Sequence, residues 1–137
     1  MEKPLGVAGK AVINKSGKIL LLQRARNEAF EPGLWELPGG KLNYGEDLID
    51  ALEREVREEA GLSVKVGLPF KTWHLFKDAF WITGITFCCE FTGGRISLSA
   101  EHDAFVWIEP GEYIQYTLGS RVKEQINAFL ALKRCND

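Results

Sequence analysis

The sequence predicts an α/β layered domain. Three observations carry this. Several segments read as strands, among them the largely buried Lys18–Arg24 and Phe80–Phe91, which is rich in aromatic and β-branched residues. They are interspersed with few helices, the clearest being Leu48–Ala60 and Arg121–Arg134. The chain has 137 residues with 45% apolar and 26% charged content, enough for one core and near the globular average. No linker, repeat or low-complexity stretch divides it.

Taken in order, Gly6–Asn14 alternates loosely around Val7, Ala11 and Val12 and reads as a strand. Asn14-Lys15-Ser16-Gly17 is a turn, because Asn and Gly tolerate the backbone angles a hairpin needs. Lys18–Arg24 is the returning, largely buried strand, and Arg26–Gly33 a polar loop. Tyr44-Gly45-Glu46-Asp47 opens a helix whose acids suit its N-terminus, and Gly61 ends it. Leu62–Trp73 reads as one or two strands around Pro69, and Phe80–Phe91 as a long strand followed by a turn at Phe91–Arg95. Ala104–Ile108 is a short strand, and Pro110–Tyr113 a helical turn. Arg121–Arg134 is an amphipathic helix carrying Val122, Ile126, Phe129, Leu130 and Leu132.

The helix over 48–60 holds the strongest functional signal. With Glu55 at 0° and about 100° per residue, Glu59 falls near 40° and Glu58 near 300°. Leu48, Leu52, Val56 and Ile49 fall near 20°, 60°, 100° and 120°. Glu55 and Glu59 therefore lie in the apolar sector, while Arg57, Asp50, Glu46 and Arg54 lie opposite. Burying a carboxylate is costly unless it is paired, and like charges four residues apart repel. A hard divalent cation relieves both costs. The alternative is a charge-rich solvated helix. Upstream, Trp35-Glu36-Leu37-Pro38-Gly39-Gly40-Lys41 breaks regular structure and lets backbone approach a ligand closely, with Lys41 able to supply a point charge to a phosphate.

Residues 40–62 resemble the Nudix hydrolase box, G-x5-E-x7-R-E-U-x-E-E-x-G-U, with U a bulky aliphatic. Gly40, Glu46, Arg54, Glu55, Val56, Glu58, Glu59, Gly61 and Leu62 match every fixed position. Trp35–Gly40 looks like the family's entry loop and Lys18–Arg24 like its second strand. Glu101, six residues before Trp107, looks like the region where many members supply a further acid. The resemblance implies an α/β/α sandwich around a mixed sheet, a single domain over 1–137, and Mg²⁺- or Mn²⁺-dependent attack of water on a diphosphate linked to another moiety. It assigns metal ligation to Glu58, Glu59, Glu55, the Gly40 carbonyl and, more loosely, Glu101, and an orienting role to Arg54 with Glu46. Glu55, Glu58 and Glu101 remain open as general base. Arg24 is either a phosphate contact or a surface ion pair.

The chemistry follows from charge. Metal ions neutralise phosphate oxygens and acidify bound water, and phosphoryl transfer needs mainly positioning and charge stabilisation. The subgroup marks for ADP-ribose (a proline) and diadenosine polyphosphates (a tyrosine) are missing at Asp78-Ala79-Phe80. The expected substrate is a nucleoside triphosphate, modified or unmodified, cleaved to the monophosphate and pyrophosphate. The alternatives are sugar nucleotides, dinucleotides, or a non-catalytic ligand-sensing module of the same fold. Isomerisation of an isoprenoid diphosphate is disfavoured, because no Cys and Glu are suitably placed.

Net charge is −2 with no basic run, which argues against duplex nucleic acid as a partner. Cys88, Cys89 and Cys135 form no C-x-x-C and read as buried free thiols. The start Met1-Glu2-Lys3-Pro4 lacks a signal-peptide pattern, and the longest apolar run, Ile19–Leu22, cannot span a bilayer, so a soluble cytoplasmic protein without a membrane partner is expected. His74 and His102 read as ordinary surface or loop residues, although His102 follows Glu101. Trp73, Phe76, Phe80 and Trp81 read as core or interface, with base stacking or a homodimer surface as further possibilities.

Overall fold

Strand β1 (Leu5–Lys15) turns through Ser16 and Gly17, at φ 54° and 87°, into β2 (Lys18–Arg24), and the Asn14 side chain accepts from Gly17 N at 2.9 Å. A computed structural model describes residues 4–136, with side chains to Lys133. Arg134 and Cys135, named above, lie outside the described side chains.

The two strands pair only at Asn14↔Ile19 and Lys15↔Lys18 and then diverge. Two short strands fill the gap. β3 (Trp35–Glu36) pairs with the end of β2, and β4 (Gly39–Lys41) with the start of β1. Pro38 between them accepts from Ala11 N. The segment expected to break regular structure is thus a wedge of sheet. Gly39 is needed there: its φ is 137°, and a Cβ would sit 2.1 Å from Gly9 O.

Helix α1 (Leu48–Ala60) is capped by Asp47, whose carboxylate accepts from Ile49 N and Asp50 N, and ends at Gly61 with φ 72°. β5 (Leu62–Lys77) and β6 (Phe80–Gly94) form a long antiparallel hairpin. Pro69 does not split β5; register shifts on either side of it absorb the missing N–H as bulges. β6 also runs through the expected turn at 91–95, pairing Gly94 with Leu62. β6 lies parallel to β1, which makes the sheet mixed. β7 (His102–Ile108) adds to β2, a 3₁₀ turn follows at Pro110–Gln115, and α2 (Val122–Asn136) closes the chain.

The sheet has a core on each face, as an α/β/α sandwich requires. Ala11, Ile13, Leu20 and Leu22 pack with Leu52 and Val56 of α1. Val12, Ile19 and Leu21 pack with Val122, Ile126 and Phe129 of α2. This explains the unbroken apolar run Ile19–Leu22: both faces of β2 are covered, so alternation is not needed. Cys88 and Cys89 are free and point to opposite faces; Cys89 is buried, which pushes its thiol up to about 12, and Cys88 is half-buried. Ile49, expected in the apolar sector, is 42% exposed. It sits in the first turn of α1 beside Leu48, which packs on the first core while Ile49 joins neither. Among the described residues no helix is long and apolar enough to cross a membrane.

The β5–β6 turn places Asp78 and Ala79 at φ 53° and 66°. This suits the twist of a two-residue hairpin but strains a residue with a Cβ. Ala79→Gly is expected to raise stability by about 0.5–1 kcal/mol, a melting shift of ~2–4 °C upward readable by calorimetry. An unchanged or lowered melting temperature would refute the strain.

Candidate active site

The acids of α1 face the wedge between β1 and β2. Glu59 is 5% exposed, and its Oε1 accepts from Gly39 N at 2.9 Å. Burial pushes its carboxyl up to about 8; Lys10 and the Gly39 amide act against this, and Glu36 and Glu55 add to it. Glu55 is half-buried and likewise raised, first by burial and then by Glu58 and Glu101, against the pull of Arg54. Its carboxyl lies over Gly40, where a Cβ would come within 2.7 Å of both Cδ and Oε2. Glycine at position 40 is therefore set by the carboxyl above it.

Arg54 ties the acids together. Its Nε and Nη2 grip Glu46 at 2.7 and 2.8 Å, while Nη1 bridges Glu55 at 3.1 Å and Glu58 at 3.0 Å. The bidentate bond fixes the guanidinium, which then holds the two acids together. Glu58 is exposed; Glu101 is exposed too, but lines the same cavity as Glu55 and Glu59. Among the described residues no three acids form a finished coordination cluster. Arg54 stands between two of them, and Glu59 is turned to the Gly39 amide.

These groups still fit a hard cation. The donors are oxygens, two of the carboxyls are held uncomfortably high without a cation, and Gly40 leaves a cradle that any side chain would fill.

Beneath the wedge lies a hub that sequence reasoning missed. Glu36 takes Lys10 at 3.4 Å, Arg24 at 3.2 Å and His102 Nε2 at 2.8 Å. Burial alone would raise Glu36, but Lys10, His102 and Arg24 together hold it well below the usual carboxylate range. Facing a carboxylate, Nε2 of His102 must donate, which leaves Nδ1 buried without a partner. His102 is therefore a buried member of the hub rather than a surface residue. Lys10 also donates to Leu37 O at 3.0 Å and Gly39 O at 3.4 Å, so the hub holds the backbone of the wedge.

Arg24 is 7% exposed and lines the cavity, with its guanidinium engaged by Glu36, Glu28 and Phe30 O. Lys41 lines the cavity too, its ammonium 3.3 Å from the Phe80 ring centroid. The aromatic residues divide. Trp73 is buried over Gly84 and donates to Thr86, while Trp81 is exposed and stacks on His74.

The family model of the NUDIX domain matches residues 3–129. The chain belongs to the Nudix family. A CTP pyrophosphohydrolase of Escherichia coli K12 is 34% identical over 138 residues, covering 90% of this chain and 90% of that protein. A nucleoside triphosphatase NudI of Escherichia fergusonii is 29% identical over 127 residues, covering 85% of this chain and 90% of that protein. The crystal structure of a MutT protein from Methanosarcina mazei Go1 is 29% identical with a TM-score of 0.83, covering 100% of this chain and 99% of that one. This Nudix chain is a hydrolase of pyrophosphate bonds; members of the family generally use divalent metal ions and act on small nucleotides.

Proposed function

We propose that the protein hydrolyses a nucleoside triphosphate to the monophosphate and pyrophosphate with Mg²⁺ or Mn²⁺, acting on cytoplasmic nucleotides. One observation carries the reading: two opposed sets of charge face a single cavity of about 250 Å³. On one wall, Glu55 and Glu59 crowd each other. On another, Lys77 is half-buried and its pKa is lowered, first by burial and then by Arg24 and Lys10. A cation bound to a polyphosphate satisfies both walls at once.

Gly40 O, Glu55, Glu58, Glu59 and Glu101 are the groups that would hold the metal. When bound, it neutralises phosphate oxygens and lowers the pKa of water. Arg54 keeps Glu55 and Glu58 oriented, and either acid can take the proton from the attacking water. Lys41, Lys77 and the edge of Arg24 receive the polyphosphate. The relatives named for CTP and for nucleoside triphosphates support this substrate class.

A panel of nucleoside di- and triphosphates, oxidised dGTP, sugar nucleotides and dinucleotides, assayed with Mg²⁺ and read by mass spectrometry in heavy-oxygen water, tests it. Pyrophosphate release from a triphosphate is expected. Clear turnover of a sugar nucleotide with none of any triphosphate overturns it.

A further inference from the structure

We infer that Phe30 and Glu31 form a base-reading element, in which the Glu31 carboxylate accepts a hydrogen bond from an exocyclic amino group, favouring cytosine and adenine over uracil and thymine. The inference rests on the nucleotide reading above. Adjacent side chains on an extended chain point opposite ways, yet Phe30 and Glu31 both line the cavity that holds Glu55 and Glu59. The backbone achieves this by placing Glu31 at φ 46°, in the left-handed region that long side chains seldom adopt. Strain of this kind gathers at ligand sites.

The carboxylate is aimed by its surroundings. Both oxygens accept from the single Ser120 N–H, at 3.1 and 2.8 Å. A Cβ on Gly119 would lie 2.6 Å from Glu31 Oε2, so glycine there makes room for the carboxylate. Among the described residues no cation pairs with Glu31. One N–H uses a fraction of the roughly four acceptor positions of a carboxylate, leaving capacity turned to the cavity.

Gln125, also lining the cavity, is held in place: its Oε1 takes Thr86 and one hydrogen of its Nε2 goes to Arg121 O. Next to Glu31, the Phe30 ring is approached by Lys77 at 4.8 Å and Arg24 at 5.7 Å. The ring thereby holds cations for the phosphates beside the carboxylate that meets the base. An acceptor-only carboxylate welcomes the amino group of cytosine or adenine and repels the O4 carbonyl of uracil or thymine.

Calorimetric binding of CMP and UMP to the full chain tests this without hydrolysis. The wild type is expected to bind CMP about tenfold or more tighter than UMP. In Glu31→Gln, one oxygen still serves Ser120 and the other becomes an NH₂ donor, so the preference should fall to within about twofold. Gly119→Ala displaces the carboxylate without changing its charge and should also erode the preference, which keeps the test open if Glu31→Gln folds poorly. Equal affinities in the wild type, or an undiminished preference in either folded variant, overturns the inference. Absence of triphosphate hydrolysis overturns the proposed function instead and leaves the CMP–UMP comparison standing.

Discussion

Glu59→Gln is expected to lower turnover on the order of 10²-fold or more while raising the melting temperature of the metal-free protein. The two effects share one cause. Glu59 is a carboxyl held in a nearly dry position, 5% exposed, with Glu36 and Glu55 as negative neighbours. Glutamine keeps an oxygen for the Gly39 N–H and removes the charge that burial opposes. That favours the fold by ~1 kcal/mol, or about 3–5 °C. The same change removes an oxygen anion from the proposed metal site, and even groups one shell further from a metal typically cost 10–100-fold. Saturating Mg²⁺, at roughly 100 times its dissociation constant, should stabilise the wild type by about 2.7 kcal/mol and Glu59→Gln by much less. Steady-state kinetics with thermal melts in Mg²⁺ and in chelator decide the matter. A purely structural Glu59 would lose stability together with activity, and activity retained within about twofold would sink the metal role.

The parts of this site that were legible in the sequence are those fixed by local geometry. A helix has a fixed period, so Glu55 and Glu59 could be placed among leucines from numbers alone, and the buried Glu59 bears this out. The same wheel misplaced Ile49, which is exposed although Leu48 beside it in the first turn packs on the core. The covered faces of β2 were legible as an unbroken apolar run. The hub was not legible. Lys10, Glu36 and His102 are 26 and 66 residues apart around Glu36, and no spacing rule joins them. They meet because β3 and β4 wedge between β1 and β2 while β7 joins the other edge of β2. Glu31 was hidden for a similar reason: its partner Ser120 lies 89 residues away. One local trace of the hub did exist, an acidic residue between Trp35 and Leu37 in a segment otherwise apolar or glycine-rich.

Glu36→Ala is expected to destabilise the protein by about 3–5 kcal/mol, the usual cost of stripping one partner from a buried ion pair. Lys10, Arg24 and His102 all converge on this carboxylate; without it, among the described residues, Lys10 keeps no direct ion pair and buried Arg24 keeps only the longer contact to Glu28 at 3.6 Å. A domain of this kind has roughly 5–15 kcal/mol in all, so the loss is large. Glu36→Gln keeps the shape and an acceptor, which isolates the charge. The pH dependence gives a second readout. Glu36 is depressed in the folded state relative to its ordinary value of 4.5. In the unfolded chain it takes up a proton near that value, while in the fold it resists until much lower pH. The stability it contributes is therefore fully present above about pH 5 and is lost progressively as pH falls below the ordinary carboxylate range. Urea midpoints measured from pH 7 to pH 3 should fall for the wild type, and the gap to Glu36→Gln should narrow towards the acid end. Parallel curves would mean the hub contributes shape alone. Activity should follow stability for a local reason: Lys10, once released from Glu36, no longer fixes the Leu37 and Gly39 carbonyls. Gly39 supplies the N–H that holds Glu59. A loosened wedge therefore reaches the acid face through a single hydrogen bond.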